Sequence, residues 1–460
     1  MKKKLNINII IQNYILIMFI FITFETIILN FTSDISKSLL PFVRYGIEGA
    51  GYILLIFGIF TKRCIKFRLY IFDKLILCTI FISIISSLFN FVEPRIFVIG
   101  FRYLLRYLYI YILIRIAGWD EAAVRRFFKI FVSIMYIEIL LVIWELLHRQ
   151  SADLVLFPRY GNIIEGFSSA LNTVSSKWAV YGSLGRYNLF GYFCVLAIWY
   201  WIAECETEKS KKSQFMIAIW LFLLVISFSR QTIVGIFGAY ILFLLFKKKI
   251  NWKQMLIIVI SIVTVVILVI NAASFVISGD YTSTGVGVVT GSVYDRYVSM
   301  FSLRFLQIDY EGYGRTWFIS EGIRRLLCSK PFLGFGLGMY GCPDTLTMSS
   351  AVYDLLDIPT TYYMDVYLGC LLGQIGIFGT FTYLASYFSI MKHSKNMLNM
   401  SNNKNSIKLS VITFGVIASS IIMMFFSSSL CNRVMAYYMW LMIGLFINSI
   451  SKSRLNSSTA

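Results

Sequence analysis

Residues 1–30 read MKKKLNINIIIQNYILIMFIFITFETIILN. Lysines at positions 2–4 run straight into an apolar stretch long enough to cross a bilayer, which takes about 20 residues as a helix. No small-residue cleavage site follows, so the segment reads as an uncleaved first helix with its N-terminus in the cytoplasm. Runs of the same kind recur along the chain, at 9–29, 42–60, 71–90, 96–114, 128–147, 187–203, 215–228, 232–246, 255–277, 366–391, 408–428 and 434–450. That pattern predicts an all-α polytopic membrane protein of about twelve spans. Composition agrees: 58% of the 460 residues are hydrophobic and 14% are charged, against about 25% charged in soluble chains. The formal net charge of +19, from 42 Lys and Arg against 23 Asp and Glu, therefore points to a membrane rather than to nucleic acid.

The basic residues alternate by side. Lys62, Arg63, Lys66 and Arg68, then Arg125, Arg126 and Lys129, then Lys209, Lys211 and Lys212, then Lys247, Lys248 and Lys249, and finally Lys392, Lys395, Lys404 and Lys408 fall on every second loop. The positive-inside rule makes those loops cytoplasmic. An even span count returns the C-terminus to the same side. The organisation predicted is a bundle of nine helices over 1–277 with an outer loop at 148–186, a large, partly helical outer loop at 278–362, and three last helices with a cytoplasmic tail over 363–460.

Outside, arginine replaces lysine: Arg44, Arg95, Arg149, Arg159, Arg186, Arg230, Arg296, Arg304, Arg315, Arg324, Arg325 and Arg433. Lysine is a hydrated point charge adequate for topology, whereas the arginine fork binds phosphate bidentately and stays charged when partly desolvated. An outer arginine set thus points to a phosphorylated ligand met at the membrane surface. The competing explanation is pairing inside the loop, which also carries Asp280, Asp295, Asp309, Glu311, Glu321, Asp344, Asp354 and Asp357. Arg230 sits where two short spans meet, in Ser227-Phe228-Ser229-Arg230-Gln231-Thr232, and an interfacial snorkelling role would also explain it. Arg102 and Arg106 lie inside the fourth span, four residues apart; buried ion pairs with Glu138 and Glu145 of the fifth would account for them, beside the functional role that intramembrane charge implies.

Three segments in order resemble the O-antigen polymerase and ligase superfamily, integral membrane glycosyltransferases that use lipid-linked sugars. They are Gly182-Ser183-Leu184-Gly185-Arg186-Tyr187-Asn188, then Ser227-Phe228-Ser229-Arg230, then Gly314-Arg315-Thr316-Trp317 with Arg324 and Lys330-Pro331-Phe332-Leu333-Gly334-Phe335-Gly336-Leu337-Gly338. Asp365-Val366-Tyr367-Leu368 and Gly373-Gln374-Ile375-Gly376-Ile377-Phe378-Gly379 follow. The likeness covers residues 180–391.

It implies transfer of a glycan from an undecaprenyl-diphosphate-linked oligosaccharide donor to a second such acceptor, on the outer face of a bacterial cytoplasmic (inner) membrane. Arg230 and Arg315 match the family's arginines and would donate to the diphosphate. Arg186, Arg324 and Arg433 would form a second tier, with Asn188, Tyr313 and Trp317 beside the sugars. Asp365 would accept the proton of the attacking hydroxyl, although binding sugar hydroxyls or capping the next helix would equally suit it. The ligase branch carries a histidine where this chain reads Met364 or Asp365, and the only histidines are His148 and His393, so a polymerase fits better than a ligase. No acidic cluster with metal-ligand spacing lies outside, which predicts a metal-independent reaction without a cofactor. A chain-length regulator and a flippase are the protein partners implied.

A flippase or transporter is the alternative of another class, though such a protein has little use for a long outer loop. Gly334-Phe335-Gly336-Leu337-Gly338 lacks the strand and helix of a nucleotide-binding turn and reads as a tight turn that lets backbone approach membrane or substrate. Cys328 and Cys342 share the outer loop, and their pairing is not expected.

Overall fold

The computed structural model describes residues 7–35, 39–61, 69–148, 180–227, 229–247, 314–346, 348–358, 366–400 and 403–458, with Thr264, Gln307, Tyr310 and Glu311 as isolated positions. All regular structure among them is helical. In chain order the principal helices are α1 (Ile7–Ile35), α2 (Leu39–Thr61), α3 (Ile71–Phe89), α4 (Pro94–Leu104), α5 (Leu108–Ala117) and α6 (Glu121–His148). After the undescribed 149–179 come α7 (Tyr187–Glu208), α8 (Lys211–Ile226) and α9 (Arg230–Phe246). The loop region holds α10 (Ile323–Ser329) and α11 (Ser350–Leu356), and α12 (Tyr367–Met400), α13 (Lys404–Met423) and α14 (Arg433–Ser458) complete the chain. Caps set several boundaries: Ser210 accepts from the Lys212 amide at 3.2 Å and Asn403 from that of Asn405 at 2.9 Å, satisfying donors that a helix start leaves open.

Among the described residues seven helices are long and apolar enough to cross a membrane, eight if the bent pair α4 and α5 counts as one span. The other expected spans fare differently. The apolar part of α2 (Tyr45–Thr61), α8 with 16 residues and α9 with 17 are shorter helices, and 255–277 lies outside the described residues. The single helix expected over 96–114 is corrected: it breaks at Leu105, Arg106 and Tyr107, and its halves are bent by 61°. No glycine or proline causes the break. Tyr107 takes a left-handed backbone (φ 67°), a conformation that costs a non-glycine residue energy and persists where its surroundings impose it. Here its buried hydroxyl donates to Glu48 at 3.0 Å and accepts from Arg433 at 3.3 Å.

α14 is the hub, with 94% of its apolar window buried against 33% for α6. It packs on α5, α13 and α7, while α13 lies between α7, α9 and α12. Close approach rests on small residues, as is usual between membrane helices: a Cβ on Gly415 of α13 would come within 1.8 Å of the Trp199 ring, whose Nε1 donates to Ser419 at 3.1 Å. Leu77, Phe81 and Leu88 of α3 and Leu140, Ile143 and Leu147 of α6 are exposed, as side chains turned to lipid would be.

Residues 314–358 form a compact block at one end of this bundle, hereafter the loop end. Trp317, Phe318, Leu326, Phe335, Tyr340, Tyr353 and Leu356 make its core, with Tyr340 and Tyr353 stacked at 5.0 Å. Residues 331–338 lock the block to the bundle. α12 loses helical geometry at Gly376 (φ 61°), and the loop takes up the backbone groups beside the break. Ile377 donates to Pro331 O at 2.7 Å, Phe378 to Phe332 O at 3.3 Å, Phe335 to Gly373 O at 2.7 Å and Gly336 to Gln374 O at 3.0 Å. From α3, Asn90 donates to Gly334 O at 3.0 Å and the Ser87 hydroxyl accepts from the Leu337 amide at 3.0 Å. The glycine-rich stretch is thus a turn for close backbone approach, and what it approaches is α3, α4 and α12.

Candidate functional site

The first motif begins in a turn that α6 holds from below. Glu138 accepts from the amide and the hydroxyl of Ser183, and Glu145 accepts from the amides of Tyr181 at 3.1 Å and Gly182 at 3.2 Å. The Ser183 hydroxyl also lies 3.0 Å from Thr23 O, and Thr26 donates to Leu184 O at 2.9 Å. Gly182 (φ 53°) has no room for a Cβ, which would meet Glu138 Oε2 at 2.3 Å. These contacts correct the expected pairing of Glu138 and Glu145 with Arg102 and Arg106: both carboxylates serve the turn instead. The chain then reaches the exposed Arg186 in extended conformation at the start of α7.

α7 next meets the second motif. A Cβ on Gly191 would lie 2.6 Å from the Ser229 side chain and 2.8 Å from Thr232 Oγ1, so glycine there lets the start of α9 press against α7. Asn188 Oδ1 consequently lies 3.5 Å from Ser229 Oγ, and Gln231 Nε2 donates to the Tyr192 hydroxyl at 3.1 Å. Arg230 is the first residue of α9, half-buried beside this contact. The third motif arrives from the loop block: Gly314 is buried, Arg315 opens the helical stretch that leads into α10, and Arg315, Ser427 and Cys431 all interact with Tyr192. Tyr192 thus touches Gln231, the neighbour of Arg230, and feels Arg315 and the α13–α14 turn electrostatically, with Asn188 one helical turn before it on α7 and Arg186 at that helix's N-terminus.

The remaining predicted residues lie elsewhere. Arg324 is exposed and bonded to Glu321 at 2.7 and 3.0 Å, and that hydrogen bond holds its pKa above the ordinary value. Arg325 pairs with Asp357 at 2.7 Å and covers the Trp317 ring at 5.3 Å, so pairing within the loop does claim these two arginines. Trp317 is a core residue of the block rather than an open sugar platform. Arg433 is buried, with its guanidinium on Glu25, Glu48 and Tyr107. Glu48 also accepts from Arg102 at 2.7 Å, so Arg102 finds its partner on α2. Tyr313 and Asp365 lie outside the described residues. Cys328 is exposed, Cys342 is buried, and neither is in a disulfide.

Tyr192, Gln231, Glu25 and Glu48 were not singled out in the sequence. The two glutamates carried a readable signal, a carboxylate inside an apolar run; Tyr192 and Gln231 carried none, because their roles arise only when α7 and α9 meet. Among the described residues no group of three or more His, Cys, Asp or Glu could hold a metal ion. The chain matches no protein-family model and no curated protein.

Proposed function

We propose that the protein is a surface-polysaccharide polymerase of the O-antigen type, joining undecaprenyl-diphosphate-linked repeat units on the outer face of a bacterial cytoplasmic membrane. The observation that supports this reading is the packing of the first motif's helix on the second motif, Asn188 on Ser229 at 3.5 Å and Tyr192 on Gln231 at 3.1 Å, with Arg315 of the third motif acting electrostatically on Tyr192. A hydroxyl of the acceptor sugar attacks the anomeric carbon of the donor glycan. The bond from that carbon to the diphosphate oxygen breaks, and undecaprenyl diphosphate leaves with the electron pair. The charge gathering on the leaving group is what fixed cationic donors stabilise, and Arg230 and Arg315 supply them in this scheme, with Arg186 as a second-tier donor. Asp365, just ahead of α12, takes the hydroxyl proton in this scheme. The missing histidine near Asp365 favours the polymerase over a ligase that transfers glycan to a lipid A core.

Arg230→Lys and Arg315→Lys test it, in a strain that lacks its own polymerase for the same glycan. Each should abolish the ladder of long chains while the protein remains in the membrane, because a point charge does not replace a bidentate fork. Normal laddering with lysine at both positions would remove the diphosphate assignment.

A further inference from the structure

Arg106 has no ion-pair partner among the described residues. It lies at the break between α4 and α5, its Nε is buried with no hydrogen-bond partner, and its guanidinium carbon lies 5.9 Å from the Tyr107 ring. Arg102 and Arg433 both act on it electrostatically, as do Glu48 and Tyr107. Both glutamates of the cluster are already taken: Glu48 by Arg102 and Arg433, Glu25 by Arg433. Among the described residues three arginines thus face two carboxylates, and the uncompensated one sits at a strained backbone break inside an apolar pair of helices. An unmatched charge there is costly, and discontinuous helices in membranes commonly mark binding sites.

We propose that Arg106, with Arg102 beside it, binds the phosphate group of an anionic ligand, separately from the arginines at Tyr192. Two features favour a ligand carried by lipid. The Arg102 side chain is 34% exposed and stacks on Tyr45, itself 52% exposed, at 5.1 Å, so the cluster opens on the side of the bundle. Planar guanidinium forks match phosphate oxygens and tolerate partial desolvation. The cluster also adjoins the first site. Cys431 contacts the hydroxyl of Tyr103, three residues before Arg106, at 2.8 Å and lies within electrostatic reach of both Arg106 and Tyr192. If the polymerase reading holds, the ligand is the second of the two lipid-linked substrates; this identification rests on that reading, whereas anion binding at Arg106 does not.

The test uses the full chain purified in non-ionic detergent, with Arg315→Gln as background to remove the first site. Its thermal midpoint is followed against undecaprenyl phosphate and, separately, inorganic pyrophosphate. A saturable upward shift is expected, and adding Arg106→Gln should weaken half-saturation by about tenfold or more. A shift with pyrophosphate as strong as with the lipid would support the site with a soluble ligand; a shift with the lipid alone would support a lipid-borne one. Without ligand, Arg106→Gln should melt no lower than its parent, because it removes an unpaired charge. The proposal is overturned by a parent that does not shift, by Arg106→Gln with unaltered half-saturation, or by Arg106→Gln melting well below its parent. These are binding readouts, so a failure to lengthen glycan would count against the polymerase reading and leave them standing.

Discussion

Buried and exposed charges in this chain should respond differently to the same operation. Removing Arg433 leaves Glu25 and Glu48 buried with too little positive charge, and breaking a buried pair from one side costs about 3–5 kcal/mol. Arg433→Met should therefore lower the melting temperature strongly, or prevent accumulation in the membrane. Arg324 is paired with Glu321 in solvent, where ion pairs are worth about 0–1 kcal/mol, so Arg324→Ala should melt within a degree or two of wild type. Equal losses from both substitutions would mean that the network around Glu48 does not hold the bundle together. The thiols give a further check. Burial pushes the Cys342 thiol up from its ordinary pKa, and Cys328 is exposed. At neutral pH a maleimide should modify Cys328 readily and reach Cys342 only after denaturation, since the thiolate is the reactive form.

At the scale of elements, α7 depends on Gly191 for contact with α9, and the loop block on Gly376 for its seat in α12. Gly191→Val places atoms where Ser229 and Thr232 now sit; it should separate Gln231 from Tyr192 and abolish long chains without expelling the protein from the membrane. Gly376→Ala adds a Cβ 2.3 Å from the Phe332 carbonyl at a positive φ. It should loosen residues 331–338, read as faster proteolysis in that stretch than in wild type. Apolar runs in the sequence showed the seven described helices that are long enough to cross a membrane, because each such run must bury itself or face lipid along its length, but they did not fix where the helices end. The sequence did not show the break at Leu105–Tyr107: no proline or glycine marks it, and the groups that hold the Tyr107 hydroxyl there, Glu48 and Arg433, come from helices far away in sequence. The partners of Glu138 and Glu145 escaped for the same reason. A carboxylate inside a span predicts a partner but not which one, and here the partners are backbone amides of a turn near the loop end. Arg186, Arg230 and Arg315 were legible as a set only through the order of their motifs; the glycine that lets two of the motifs touch is one of 30 in the chain.

Taken whole, the described residues form an apolar bundle with a loop block packed on it, in which Arg102, Arg106 and Arg433 sit around Glu48 and Cys431 hydrogen-bonds to Tyr103. The proposed reaction has two lipid-linked substrates that must meet, and neighbouring cationic sites in a bundle would let both approach from the plane of the membrane. The most direct measurement is made on purified protein in liposomes supplied with undecaprenyl-diphosphate-linked repeat units and no nucleotide sugar. A polymerase should turn these into a ladder of longer chains on the same lipid, and Arg315→Lys should leave single units. Unlengthened units that merely cross the bilayer, or single units transferred to a lipid A core, would contradict it.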